Sequence, residues 1–256
     1  MDPVEEFTTI ESIFVRHRNC LMVRGQFTPI YTDHYLHLMQ HGHRYPEDLD
    51  QCLKDMLAVL ALHLVARPWK EVHAWTANLR APRVNFFATG SSTHETLVGR
   101  LFTEEIRETD RDLLYSQVLE GANQQARNST LEISGLKPLA WIESYYEQSE
   151  QRPCRAFDLG DEEFVLIVAQ PDYDEEWLAG LDTEKVRTIL DDQETKVLET
   201  RKFRFHCGCT LEKILPVLSS WKDRPDELFQ GDDSITVTCP RCNANYVVTR
   251  EAFDNQ

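Results

Sequence analysis

Several things are scarce in this chain, and each scarcity closes off a class of function. No stretch approaches the roughly 20 consecutive apolar residues of a membrane-spanning helix; the longest apolar run, residues 56–66, is interrupted by His63. Positive charge is short: 27 Lys and Arg stand against 43 Asp and Glu, a formal net charge of −16. That balance argues against a nucleic-acid binder, whose phosphates demand a basic footprint. A Gly-rich phosphate loop, a Gly-x-Ser-x-Gly elbow and a His-Glu-x-x-His pair are all missing, so the chain is not expected to be an enzyme. The opening Met1-Asp2-Pro3-Val4-Glu5-Glu6 is acidic where a secretory leader is basic and then apolar, which makes the cytoplasm the expected location.

What the chain does have is seven cysteines, four of them in two short pairs: Cys207-Gly208-Cys209 and Cys239-Pro240-Arg241-Cys242, with 29 residues (210–238) between them. An odd count in a reducing compartment favours thiols or metal ligands over a disulfide framework. Four thiolates from two knuckles suit a tetrahedral ion such as Zn²⁺ and leave no open position for substrate water, so the expected site is structural or regulatory and one Zn²⁺ per chain is its expected cofactor. His206 is a competing ligand that four cysteines make unnecessary.

Ahead of these pairs, 256 residues with 41% hydrophobic content support a sizeable core. An alternation from residue 14 to 27 through Leu21, Val23 and Gly25 reads as a strand, followed by a helix over 32–40 with Tyr35, Leu36, Leu38 and Met39 as its apolar side. His37, His41 and His43 cluster there and read as a solvated helix end rather than a metal site. The strongest helix is 46–67, where Leu49, Leu53, Met56, Leu57, Leu60 and Leu64 recur at three- and four-residue steps and the middle is apolar nearly all round. Cys52 on that side reads as a packing thiol. Strands at 71–79 and 83–89, joined by Arg80-Ala81-Pro82, suggest a hairpin, with a further strand at 97–102. Residues 103–130 are polar and ambiguous, with a helix or strand around 113–119. An amphipathic helix is expected over 138–151, a loop holding Cys154 after it, and a strand over 163–170 buried on both faces.

From Asp172 the composition shifts. Residues 172–200 hold ten acidic and three basic residues, with sparse apolar positions (Trp177, Leu178, Leu181, Val186, Ile189, Leu190, Val197, Leu198) at helical spacing. A helix so charged has little to hold it except docking on a neighbour. In the module beyond, Thr210 can cap a helix carrying Leu211, Ile214 and Leu215, 225–229 reads as another helical turn, and strands through Ile235/Val237 and Tyr246/Val247 put the second knuckle at a hairpin. So small a module draws its folding energy from bound metal. The expected fold is α+β: a mixed α/β, sandwich-like N-terminal domain (1–171), a metastable helical acidic linker (172–202), and a small C-terminal zinc-binding module (203–256).

The cysteine pattern resembles the zinc redox switch of the heat-shock protein 33 family, the disulfide-activated holdase chaperones. Ser149-Glu150-Gln151-Arg152-Pro153 is similar to that family's Ser-Glu-Gln-x-Pro segment, and Val23-Arg24-Gly25 followed by helix 46–67 resembles its opening. The resemblance implies that Cys207, Cys209, Cys239 and Cys242 bind Zn²⁺ when reduced and form disulfides within each knuckle when oxidised. It implies that metal loss unfolds module and linker and uncovers a surface holding unfolding clients without ATP, with Trp177, Leu178, Leu181, Val186, Ile189 and Leu190 as client-binding positions. It leaves room for a homodimer in the oxidised state. The chain departs from the family in a shorter stretch between Phe157 and Val165, a compact linker, and the additional Cys20, Cys52 and Cys154. The competing readings are a constitutive zinc-ribbon adaptor that binds a fixed protein partner, and thiol-disulfide chemistry at Cys-Pro-Arg-Cys.

Overall fold

The computed structural model describes residues 7–104, 106, 109–121 and 125–255; the acidic Met1–Glu6 opening and parts of the ambiguous 103–130 stretch lie outside them. The chain opens with a hairpin of β1 (Thr8–Val15) and β2 (Cys20–Gln26). The alternation from 14 to 27 therefore belongs to two strands. The break falls in Arg16-His17-Arg18-Asn19, where His17 and Asn19 take positive φ.

Helix α1 (Thr28–Gln40) starts earlier than expected because Pro29 opens its first turn. Its buried face is Ile30, Tyr31, His34 and Leu38, whereas Tyr35, Leu36 and Met39 are 56–59% exposed. The apolar side read from the sequence is thus corrected: His34 takes the inward place, its ring 5.2 Å from that of Phe205. Helix α2 (Glu47–Val65) has thirteen of nineteen residues buried and runs through the main core, as its all-round apolar middle predicts.

Strands β3 (Glu71–Arg80), β4 (Arg83–Ser91) and β5 (Thr96–Phe102) form the expected antiparallel set. β6 (Leu113–Glu120) resolves the helix-or-strand ambiguity, and β7 (Arg127–Glu132) pairs with it. Helix α3 (Pro138–Tyr145) widens into a π-type turn over Tyr146–Glu150 and ends at Gln151, which has φ 55°. β8 (Cys154–Asp158) occupies what the sequence left as a loop, and β9 (Glu163–Ala169) follows it across a tight turn.

The acidic segment is helical only in part. α4 (Glu175–Ala179) and α5 (Thr183–Asp192) are capped by Asp174 and Asp182, whose carboxylates accept from Trp177 N and Lys185 N at 2.9 Å. The segment then extends into β10 (Thr195–Phe205). The helical reading of the segment holds only as far as Asp192: in β10 Arg201, Phe203 and Phe205 alternate inward, and period-two burial overrides the helical spacing of the earlier apolar positions.

All these strands form one ten-stranded sheet, in the order β7-β6-β3-β4-β5-β10-β1-β2-β9-β8. Every pairing is antiparallel except β10 with β5, a parallel seam of two residue pairs. α2 and α3 cover one face; α4 and α5 cover the other at the β1-β2-β9 end. Alternation in β9 supplies both: Phe164, Leu166 and Val168 join the core with α2, while Val165, Ile167 and Ala169 join α4 and α5.

The C-terminal module consists of α6 (Leu211–Ile214), a 3₁₀ turn over Leu215–Trp221, α7 (Pro225–Phe229), the hairpin of β11 (Ser234–Thr238) with β12 (Asn245–Thr249), and α8 (Arg250–Asp254). Its own core is small, with Phe229, Val248 and Phe253 at its centre. Among the described residues no helix is long and apolar enough to cross a membrane.

Candidate metal centre and its docking

The first knuckle is placed by β10. His206 N donates to Leu97 O at 2.8 Å, carrying the strand register of the large sheet right up to Cys207. Gly208 takes φ +65°, the left-handed turn that a one-residue gap between two inward cysteines requires. Lys213 Nζ holds its carbonyl at 2.6 Å, and Thr210 caps α6 as expected. The second knuckle sits at the β11–β12 turn, closed by Cys239 N to Ala244 O (2.8 Å) and Asn243 N to Cys239 O (3.0 Å).

The four sulfurs of Cys207, Cys209, Cys239 and Cys242 all lie within 4.8 Å of one another, and the cross-knuckle contacts Cys207–Cys239 and Cys209–Cys242 are 3.8 and 3.4 Å. A tetrahedral ion with sulfur bonds near 2.3 Å separates its ligands by about 3.8 Å, so this set can hold a metal ion with little rearrangement. Hydrogen bonds from the Cys242 thiol first, and from Cys209, hold Cys207 down to about 5, while Cys242 is pushed up chiefly by that same contact with Cys207. A bare cluster therefore supports a thiolate readily at Cys207 and resists one at Cys209 and Cys242; four together need a cation. Tyr246 donates to Cys209 Sγ at 3.1 Å. Cys239 and Cys242 are buried, whereas Cys207 and Cys209 are part-exposed. His206 is exposed and lies outside the sulfur cluster.

Cys20, Cys52 and Cys154 are buried away from this site, and desolvation raises all three thiols, Cys20 to about 12. They are packing groups.

The three histidines do not form a solvated helix end. They grip the second knuckle: His37 Nε2 donates to Cys242 O at 2.7 Å, His43 Nε2 donates to Asn243 O at 2.6 Å, and His41 Nδ1 accepts from Asn245 N at 3.2 Å. Arg100 adds a bond to Cys239 O (2.9 Å), and Asn243 Nδ2 reaches Tyr45 Oη (3.3 Å). The clustering of His37, His41 and His43 was visible in the sequence; their partners, some 200 residues away, were not.

The expected client-binding positions gather under the second helical layer. Leu178, Leu181, Val186 and Ile189 are buried with Ile13, Val15, Cys20, Met22, Val165 and Ile167; Trp177 packs at their edge, and Leu190 is 36% exposed. Both ends of this layer return to the β1–β2 turn. Arg18 donates to Asp174 Oδ2 (2.5 Å) and Gln193 Oε1 (3.0 Å), Asn19 Nδ2 to Asp172 O (2.9 Å), Arg16 N to Glu194 O (2.8 Å), and the Arg16 guanidinium pairs with the Glu194 carboxylate.

The Ser149-Glu150-Gln151 segment closes on the far end of α2. Glu150 pairs with Arg67, which also bonds Glu71 at 3.3 Å; Glu71 accepts from His73 at 2.9 Å, and His63 Nδ1 shares a 2.9 Å bond with the Tyr146 hydroxyl. Burial alone would raise the Glu71 carboxyl, but His73 and Arg67 hold it down to about 2.

Comparison with known proteins gives a consistent picture. The model of the family described as Hsp33 protein matches residues 158–249. A 33 kDa chaperonin of Azotobacter vinelandii is 25% identical over 239 residues, covering 80% of each chain. The 33 kDa chaperonin of Acholeplasma laidlawii is 32% identical over 69 residues, 27% of this chain and 24% of its own, so that match spans about a quarter of the relative. Among solved structures, the crystal structure of the 33 kDa chaperonin from Thermotoga maritima has a TM-score of 0.76 at 16% identity, covering 98% of this chain and 97% of that one, a likeness of fold along the whole length.

Proposed function

We propose that this chain, which belongs to the Hsp33 family of chaperones, is a redox-regulated, ATP-independent holdase of the cytosol, inactive when reduced and active when its four clustered cysteines are oxidised. The observation that carries the reading is the four-sulfur cluster at the end of β10, downstream of a lightly built helical layer that covers an apolar sheet face.

In this reading Cys207, Cys209, Cys239 and Cys242 hold one Zn²⁺. Bound Zn²⁺ keeps four thiolates in one shell and contributes the module's folding energy, on the order of 10–16 kcal/mol in zinc-finger peptides. The part-exposed Cys207 and Cys209 are the sulfurs an oxidant such as peroxide meets first. Each thiol pair gives up two electrons as its disulfide forms, and peroxide leaves as water. The family resemblance pairs Cys207 with Cys209 and Cys239 with Cys242; the contacts at 3.8 and 3.4 Å run across the knuckles, so this pairing requires them to separate.

Once the module unfolds, α4 and α5 depend on their small apolar face and the β1–β2 turn. Their release uncovers Ile13, Val15, Met22, Val165 and Ile167 together with Trp177, Leu178, Leu181, Val186, Ile189 and Leu190, a surface suited to partly unfolded clients. The net charge of −16 keeps such complexes soluble. β10 stays in the sheet, so the mobile unit is shorter than residues 172–202. A homodimer of the oxidised form is compatible with this surface.

Treating reduced, zinc-loaded protein with peroxide at mild heat should release the metal and suppress aggregation of a model client. Metal retention with no protection at any oxidant dose would overturn the reading. The exposed Tyr35, Leu36 and Met39 on α1 favour the second reading, a constitutive zinc-ribbon adaptor with a fixed partner, and that result would support it. As a further check, Cys239→Ser should weaken zinc binding and give partial activity without oxidant.

A further inference from the structure

The two knuckles are held by different parts of the molecule. The first follows directly from β10 and is secured by Lys213 and Tyr246 of its own module. The second has its main chain gripped by the N-terminal domain: carbonyls of residues 239, 242 and 243 accept from Arg100, His37 and His43, and the amide of residue 245 donates to His41. Buried peptide groups need such partners, and a turn whose carbonyls are fixed has its side-chain directions fixed with them. His37 and His43 supply donors, and His41 an acceptor, of the right reach from the last turn of α1 and the loop after it, a segment anchored by the buried Leu38, His34 and Tyr31.

We propose that His37, His41 and His43 are positioning residues for the metal centre: acting through the backbone of the second knuckle, they aim Cys239 and Cys242 at the shared ion, so that metal retention in the C-terminal module is set by the N-terminal domain. This rests on the reading that the four cysteines hold Zn²⁺. Metal release and undocking of the module then become one event: loosening the grip lowers the hold on the metal, and loss of the metal frees the carbonyls the histidines hold. Partners one step removed from a metal typically change its affinity 10- to 100-fold when deleted.

The test uses the full-length, reduced, zinc-loaded protein and the double variant His37→Ala/His43→Ala. Zinc transfer to a chromogenic chelator is followed in time, and the ligand-field absorption of the Co²⁺-substituted forms is compared. The expected result is release about 10- to 100-fold faster in the double variant, a shifted Co²⁺ spectrum, and raised amide exchange over 239–245 with α2 still protected. His37→Gln, which keeps an N–H able to reach the same carbonyl, should release zinc more slowly than His37→Ala, and the single variant His37→Ala takes the double variant's place if the latter does not fold. Equal release rates and identical Co²⁺ spectra for wild type and the alanine variant would overturn the proposal while leaving the four-cysteine site standing. A wild type that binds no stoichiometric zinc would overturn the site and the positioning role together.

Discussion

Strand β9 is covered twice, and its two covers are built to different standards. On one face lies α2, buried all round from Met56 to Val65, with thirteen of its nineteen residues buried and its end tied into the Arg67–Glu71–Glu150 network. On the other lie α4 and α5, five and ten residues long, with Leu178, Val186 and Ile189 as their buried residues and a basic turn, Arg16 to Asn19, holding their ends. Short helices gain little from propensity and depend on what they dock against. One sheet thus has a heavily built cover and a lightly built one.

The largest expected effect comes from stripping the metal with a chelator under reducing conditions. That should remove on the order of 10 kcal/mol from the module and raise amide exchange over 175–192 while α2 stays protected; equal protection of 175–192 before and after would abolish the distinction between the covers. Next, Leu57→Ala, a fully buried α2 side chain, should cost about 2–5 kcal/mol and lower the stability of both covers together in denaturant unfolding. If only the α2 side opened, the two faces would be independent.

Acid separates the covers in another way. Burial lowers His34 to about 4 and His63 well below its usual value, so both are neutral in the fold and their contribution is present above about 6.5 and lost as pH falls below it. Glu71 and Asp174 are held low by their partners, so their contributions persist down to about 4 and fade only beneath that. Between pH 6.5 and 5, global unfolding should become easier while local opening of 175–192 in protein held metal-free changes little. The smallest effect is that of Arg18→Gln. The part-exposed Arg18–Asp174 pair is screened by solvent, so exchange over 175–192 should rise only a few-fold (~2–5) with zinc content unchanged, and 1 M salt should narrow the gap between variant and wild type. No change at low salt would remove the turn from the retention of the helical layer.

Much of this was legible because it is local. The all-round apolar α2, the β3–β4 hairpin, the doubly buried β9 and the cysteine knuckles each announce themselves within about twenty residues. β10 did not, although Phe203 and Phe205 alternate with Lys202 and Arg204, because the acidic run before it has helical spacing and its neighbours β1 and β5 are remote in sequence. The face of α1 was misread because Tyr35, Leu36 and Met39 are the more apolar residues, while the inward direction is set by Phe205 and the start at Pro29. The histidines were conspicuous, yet only the fold brings residues 242, 243 and 245 beside them.

The four-residue turn between β1 and β2 grips the chain at 172–174 and again at 193–194, so the helical layer is a loop whose two stems are pinned at one place. In the proposed release β10 stays seated in the sheet, and the freed chain is only the 18 residues from 175 to 192. Re-closing a loop of that length costs roughly 2.6 kcal/mol beyond a constant, a cost that grows only logarithmically with length. A segment tethered so closely at both ends searches little space before it finds its seat again. In the proposed cycle, resetting after reduction is therefore a local refolding step that the rest of the molecule does not have to repeat.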